Sequence, residues 1–237
     1  MIITQNTQNI SRYQKIIGHL RTMWSMLKVT DYTVEPVERK VIQNFIHKHH
    51  YSHNTNGIQQ MECFALFREG KFGFDKEMIG AAMYAIPSMP STAKKYNPDN
   101  PDKCRELRRL CCLDEAPTNT ESYFISQTLK WLRQNTDVEV VVSFADLEQG
   151  HTGVIYKATN FHYFGQTGKG QALMVDGKRY HARSMNQPIK PYSRELKRRY
   201  KAGDEGIYYV DTKPKNIYVY YLSKKAKKKY LYVDSKN

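Results

Sequence analysis

Apolar residues along the chain fall into runs of two kinds, one repeating at helical spacing and one short and dense. "VERKVIQNFIHKHH" carries Val37, Val41 and Phe45 at helical spacing just after Pro36, and predicts an amphipathic helix that ends at the histidines. "MECFALFRE" and "MIGAAMYAI" are dense runs separated by the glycine-bearing "GKFGFDKE", which predicts a β-hairpin. Residues 87–101 hold Pro87, Pro90, Pro98 and Pro101 and few core-forming side chains, so a long exposed loop is expected there. Next come "RELRRLCCL", the helical run "ESYFISQTLKWLRQN", the apolar "VEVVVSF" and the short helix "TGVIYKAT". The first and third of these read as neighbouring buried strands joined through the helix. Farther on, "QALMVDGKRYHAR" sets a D-G turn between two strand-like segments, and "NIYVYYLS" reads as one more strand.

Composition narrows the class. No window approaches the roughly 18 consecutive apolar residues of a membrane span. The amino-terminal "MIITQNTQNISRYQKIIGHLRTMW" lacks a compact apolar segment with a small-residue cleavage site. A soluble, cytoplasmic chain with no membrane partner is therefore expected. The cysteines, Cys63, Cys104, Cys111 and Cys112, include no C-x-x-C, which argues against a disulfide framework and a tetrahedral zinc site. Cys111 and Cys112 read as small core residues. Charge is segregated: residues 1–160 carry 19 Lys and Arg against 17 Asp and Glu, a net +2, whereas residues 161–237 carry 18 against 6, a net +12. That last third also holds 11 of the 18 tyrosines. Cations interleaved with flat rings suit a phosphate backbone and its bases, so nucleic acid is the expected partner. A solvated charged face is the competing reading.

The succession of helix, hairpin, third strand, helix, fourth strand, short helix and fifth strand resembles the GCN5-related N-acetyltransferase fold. The expected class is thus α/β (α+β), a mixed sheet flanked by helices. An acetyltransferase-like core is expected over residues 1–165, and a basic, tyrosine-rich, β-rich DNA-binding extension packed on it over residues 166–237. The resemblance implies that the strands before and after the long helix splay apart and that acyl-coenzyme A lies in the gap. "VIYKATNFHYFG" matches the family's late signature, with Tyr156 at its tyrosine position. The chain departs from the family between Leu113 and Phe124, where the phosphate-binding loop should carry glycine and "DEAPTNTESYF" has none. Either the amides at the helix start, around Asn119, Thr120 and Ser122, hold a phosphate, or coenzyme A binds differently or not at all.

A closer resemblance covers roughly residues 35–222. "HHYS", "ELRRLCCLDEAPTNTES" and "SFADLEQGHTGVIYKATNF" together resemble the Mom family of phage DNA-modification proteins. This implies transfer of a methylcarbamoyl group to the exocyclic nitrogen of adenine in phage DNA, shielding it from restriction. It also implies an acetyl-CoA site and a bound iron.

Groups at the carboxyl ends of strands in an open sheet face the ligand crevice, which places Ser143 and Asp146 there. A carboxylate beside adenine N6 orients the amine, accepts a proton or ligates a metal, and the Tyr156 phenol then serves as proton donor to a thiolate leaving group. The plainer reading makes Asp146 a turn cap, Gly150 and Gly153 residues of special backbone angle, and Tyr156 a core side chain. "HKHHYSH" clusters His47, His49, His50 and His53 at a helix end, where cationic rings complement the dipole. The resemblance singles out His50 with Tyr51, and Asp146 completes an N/O set for iron if the fold joins the two blocks. Strand alternation sends Arg108 and Arg109 to opposite faces. Arg108 matches the family's site arginine, and a salt bridge to Glu106 is its alternative role. Ser122 caps the long helix or bonds a coenzyme phosphate.

Adenine N6 inside a duplex must be flipped out or met on an unpaired strand. Arg179, His181 and Arg183, with Arg194, Lys197, Arg198 and Arg199 of "RELKRR", are the expected phosphate contacts. Two other readings stand beside this one: a conventional N-acetyltransferase acting on a protein or small amine, and a non-catalytic DNA-binding module on the same fold.

Overall fold

The computed structural model describes residues 29–59, 61–69, 75–187 and 191–231. The amino-terminal segment read for a leader, and Gly70–Phe74 of the hairpin connection, lie outside the described residues. Strand β1 (Thr33–Val37) leads into helix α1 (Arg39–His49), followed by β2 (Met61–Glu69) and β3 (Lys76–Ala85). Helix α2 (Pro90–Tyr96), β4 (Cys104–Cys112), helix α3 (Thr120–Asn135) and β5 (Val140–Asp146) come next. The short helix α4 (Val154–Ala158) precedes β6 (His162–Gln166), β7 (Gly170–Val175) and β8 (Lys178–His181). Helix α5 (Pro191–Lys201), β9 (Ile207–Thr212), β10 (Lys215–Tyr221) and helix α6 (Lys224–Tyr230) follow. The mixed α+β class expected from the sequence is the class observed. No helix among the described residues is long and apolar enough to cross a membrane.

The chain forms two compact units that interleave along the sequence. One comprises the described residues up to Ser143, residues 155–161, and those from Val219 on; the other comprises residues 144–154 and 162–218. The expected boundary between residues 165 and 166 falls inside the second unit.

In the first unit the strand order is β1-β2-β3-β4-β5-β10. Strands β1 to β4 pair antiparallel, and β4 and β5, joined through α3, pair parallel. Helix α1 packs Ile42, Phe45 and Ile46 against small side chains of the hairpin, Cys63, Ala65, Ala81 and Ala85, which let the helix approach closely. The apolar stripe is therefore not the Val37–Val41–Phe45 series: Val37 lies in β1 opposite Cys63, and Val41 is exposed. Pro36 sits in β1, an outer strand, where its missing N–H breaks no ladder bond. On the other face α3 sets Thr128 against the Tyr84 hydroxyl at 2.6 Å, and Trp131 meets Phe64 edge-on with centroids 5.2 Å apart. The proline-rich stretch is not a plain loop. Pro90 opens α2, where a first-turn proline is pre-set for helix, and Ala93, Tyr96 and Asn97 are buried.

In the second unit β7 is flanked by β8 and β9 in a three-stranded antiparallel sheet. Leu173, Val175, Met185 and Ile207 form its apolar cluster, with Leu196 of α5 and Tyr209 packed on it. The β7–β8 connection is the D-G turn, with Asp176 and Gly177 at φ +47° and +76°, the left-handed angles of a two-residue hairpin. Helix α5 is tied to that turn through Arg199, whose guanidinium donates to both Asp176 oxygens at 2.9 and 2.7 Å and to Asp204 at 2.6 Å. A bidentate pair of this kind fixes geometry as well as charge.

Gly153 makes the closest backbone approach in the unit. Its φ is +87°, and a Cβ there would sit 2.2 Å from the Tyr218 ring, which is held by its hydroxyl donating to Thr152 O at 2.9 Å. Gly150, at φ +73°, has no atom within 4 Å of the equivalent position. Gly153→Ala is therefore expected to cost at least about 2–3 kcal/mol through overlap and backbone strain, and Gly150→Ala only about 1 kcal/mol through strain. Thermal unfolding of the two variants checks this order; equal losses would show that the Tyr218 ring yields freely.

Candidate active site

The parallel ladder between β4 and β5 is short. Cys104, Arg105 and Glu106 pair with Val140, Val141 and Val142, and no pairing follows although both strands continue. The ladder thus ends with Glu106 opposite Val142. Strand β4 also bulges at this point: Met83 pairs with Arg109 and Tyr84 with Leu107, so Arg108 is the extra residue. A bulge re-aims side chains, and it does so here. Arg108 turns back to Glu106 at 3.4 Å, the alternative role considered for it, while Glu106 accepts from the Ser88 amide at 2.9 Å. Arg109 instead donates to Asn54 O at 2.9 Å, in the loop after α1. Burial, then Arg108, lower its pKa, opposed by Tyr51. The structure thus links Arg109, not Arg108, to the His50–Tyr51 loop.

The first unit buries several hydroxyl groups. Ser143 is fully buried, and among the described residues its Oγ has no hydrogen-bond partner. Tyr156, on α4, is buried against Phe161 with ring centroids 5.4 Å apart. Tyr84, which sequence patterning hid inside the hairpin run, is fully buried. It donates to Thr128, whose own proton goes to Ile125 O at 2.8 Å. Burial drives the Tyr84 pKa well up; the Thr128 bond opposes this and nearby Tyr156 adds to it, so Tyr84 keeps its proton. The same burial pushes the thiols up, Cys63 to about 11 and Cys104 and Cys111 to about 12, which leaves them inert core groups.

The start of α3 fits a coenzyme phosphate only in part. Asn119 takes a left-handed angle, φ +72°, with no side-chain cap bond. The Thr120 hydroxyl donates to Pro117 O at 2.6 Å and the Ser122 hydroxyl to Asn119 O at 2.9 Å, so both are committed to backbone. The Thr120 and Tyr123 amides are bonded to Pro117 O and Asn119 O, which leaves the Glu121 and Ser122 amides of this 16-residue helix as anion donors, beside the adverse charge of Glu121.

His50 is buried at the C-cap of α1 and stacks on exposed Tyr51, with centroids 4.4 Å apart. Its Nδ1 accepts from the Ser52 amide at 3.1 Å, with Ser52 Oγ at 2.9 Å. Ser52 thus holds Nδ1 and orients the ring. Among the described residues no three His, Cys, Asp or Glu side chains are grouped as a cation site. The loop after α1 thus presents the imidazole and the phenol of the set implied for iron, and no step below passes through a metal.

Asp146 is buried in the second unit, and both its oxygens are engaged. Oδ1 accepts from the Glu148 amide at 3.0 Å, capping a 3-10 turn over Leu147–Gln149, and Oδ2 meets Lys215 Nζ at 2.7 Å. Burial opposes ionisation, but Lys215, the Glu148 amide and His151 outweigh it and hold the carboxyl below the usual range. Lys215 lies far along the chain in an unremarkable stretch, and no local signal marks it. Glu148 in turn accepts from Arg179 at 2.6 Å. The expected DNA contacts divide accordingly. Arg179, Arg198 (with Glu195 at 2.6 Å) and Arg199 are ion-paired internally, whereas among the described residues the side chains of Arg183, Arg194 and Lys197 have no acid partner.

Since Asp146 ionises more readily folded than unfolded, its stabilisation is complete above the unfolded value of about 3.9 and fades as pH falls through the lowered folded value. Lys215→Met is expected to cost about 1 kcal/mol at neutral pH, modest because the lysine is half exposed. In urea titrations the gap between the two proteins should close below about pH 4; a gap that persists there would mean that Lys215 stabilises by packing alone.

Residues 31–237 match the Mom protein family. A 157-residue stretch is 28% identical to Methylcarbamoylase mom of Escherichia phage Mu and covers 65% of this chain and 61% of that protein. The chain thus spans less than two thirds of the length of that curated relative. Solved structures of similar shape include the spermidine/spermine N-acetyltransferase SpeG from Vibrio cholerae, 12% identical, covering 85% of this chain and 98% of that one at a TM-score of 0.45. Another is the IAA acetyltransferase from Bacillus cereus, 8% identical, covering 80% and 99% at a TM-score of 0.45. With the three sequence blocks and the family match in agreement over nearly all of the described residues, this chain belongs to the Mom protein family.

Proposed function

We propose that the chain transfers a methylcarbamoyl or related acyl-type group to N6 of adenine in phage DNA from a coenzyme A thioester that already carries that group, a modification that protects that DNA from host restriction; the expected acetyl-CoA would by itself deliver only acetyl. The observation that carries this reading is the family match over residues 31–237, together with a relative named as a methylcarbamoylase.

In acyl transfer from a thioester, the amine nitrogen bonds to the carbonyl carbon, the carbon–sulfur bond breaks, the nitrogen sheds a proton and the thiolate gains one. The nitrogen of an aromatic amine is a weak nucleophile, so its orientation matters. Asp146, held anionic by Lys215, still has carboxylate lone pairs to accept an amine N–H. A carboxyl kept below its ordinary range is a poor base, so Asp146 orients the amine, and the proton leaves to solvent once the new bond acidifies it. Tyr156 is the assigned donor to the thiolate, with Tyr84 beside it locked in its protonated form. The backbone of β4 beyond Glu106 and the Glu121 and Ser122 amides of α3 are the groups for the donor's pantetheine and phosphates.

Nucleosides digested from the DNA of bacteria expressing the protein should include a deoxyadenosine heavier by a methylcarbamoyl or related group. Asp146→Asn and Tyr156→Phe keep shape and should each lower that yield about 100-fold. A heavier pyrimidine would overturn the target, normal yields in both variants would overturn the assigned roles, and four unchanged nucleosides from a folded protein would make it a DNA-binding module instead.

A further inference from the structure

Cross-strand pairing sorts the side chains of the small sheet onto two faces. Leu173 and Val175 share one with Ile207 and Tyr209, and Met185 and Leu196 pack on that side. On the opposite face Arg179 of β8, Met174 of β7 and Tyr208 of β9 stand in one row, with His181, Ala172 and Val210 in the next. Arg179 and Tyr208 are each about half exposed, at 50% of the arginine side chain and 48% of the tyrosine.

The chemistry of this face is specific. Arg179 lies against Glu148, which also accepts from the Lys213 amide, so a phosphate can take over the guanidinium without stranding the carboxylate. His181 Nδ1 accepts from the Arg183 amide at 3.0 Å, which leaves Nε2 as a donor and starts the turn that exposes Arg183. Burial first, then Arg183 and Lys215, lower the pKa of His181. Helix α5 is the weaker candidate, because Arg198 and Arg199 are committed to Glu195, Asp176 and Asp204. Cations alone suffice to hold duplex phosphates. An uncovered ring at the far end of the row that Arg179 begins, with Met174 between them, does what duplex binding does not need: it offers a stacking surface, and only an unpaired base has a free face to place on it.

We infer that the face bearing Arg179, His181 and Tyr208 seats an unpaired stretch of DNA strand, with a base on Tyr208 and the adjoining phosphates on Arg179 and Arg183. This rests on the DNA reading above and deepens it, since Asp146 belongs to the same unit and shares its cation cluster through Glu148 and Lys215.

Anisotropy titrations of the full chain with a labelled single strand and the matching duplex test the inference. The wild type should bind the single strand more tightly. Tyr208→Leu should weaken strand binding about 5- to 100-fold, the range for losing one base stack, and leave duplex binding within about twofold, while Tyr208→Phe should restore the strand. Arg179→Gln with Arg183→Gln should weaken both and flatten the salt dependence by roughly 0.7 log units per contact on the strand, whereas Arg194→Gln with Lys197→Gln should change strand binding less. Tighter binding of the duplex by the wild type, or wild-type strand affinity in a folded Tyr208→Leu, overturns the seat. A protein that shows the expected strand binding yet leaves every nucleoside unchanged supports the seat and overturns only the transfer reading.

Discussion

The arrangement turns on a hydrogen-bond ladder that stops. Strands β4 and β5 share three register positions, the last of them Glu106 with Val142, and beyond it β4 continues its pairing with β3 on the other side. Here the Arg108 bulge redirects β4 just after the last paired residue, and Glu106 is pinned there by the Ser88 amide and Arg108. Helix α3, which joins the two strands, is anchored through Thr128 to Tyr84 on the neighbouring β3. The end of this ladder is therefore anchored through Glu106 and Thr128, and the buried Ser143 directly follows its last paired residue.

Charge in the second unit is organised by the same logic of commitment. A buried carboxylate needs a counter-charge, and Asp146 has Lys215; Glu148 has Arg179; Asp176 and Asp204 share Arg199. Each pairing removes a cation from the pool that a net charge suggests is available for phosphate. The Arg199 cluster belongs to folding, since it ties α5 to the β7–β8 turn. The cations near Asp146 are differently placed: Arg179 is held by one partially exposed glutamate, and Arg183 has no acid partner among the described residues. A count of +12 in the sequence thus becomes a smaller, directional set in the fold.

Much of this was legible in the residues themselves. Dense apolar runs marked β2, β3 and β5, the D-G pair marked a two-residue turn, and segregated charge marked the basic part, because each depends on neighbours in sequence. The proline-rich stretch misled because a proline at the first helical position starts a helix as readily as it ends one, and the stripe of α1 was displaced because Pro36 belongs to a strand.

What tertiary structure alone decided are the partners. Alternation in "ELRRLCCL" separates Arg108 from Arg109 but cannot foresee a bulge, which arises from pairing with β3, so the arginine that reaches the His50–Tyr51 loop is Arg109. The spacing of "HHYS" shows an imidazole beside a phenol, whereas the stacking of the two rings and the hold of Ser52 on His50 Nδ1 come from the folded loop. Asp146 was visible from its place after an apolar run, whereas its state depends on Lys215, 69 residues later. Sequence fixes secondary structure through short-range sterics and burial pattern; charge state, lone-pair availability and side-chain direction follow from contacts between distant segments, which only the folded chain brings within a few ångströms.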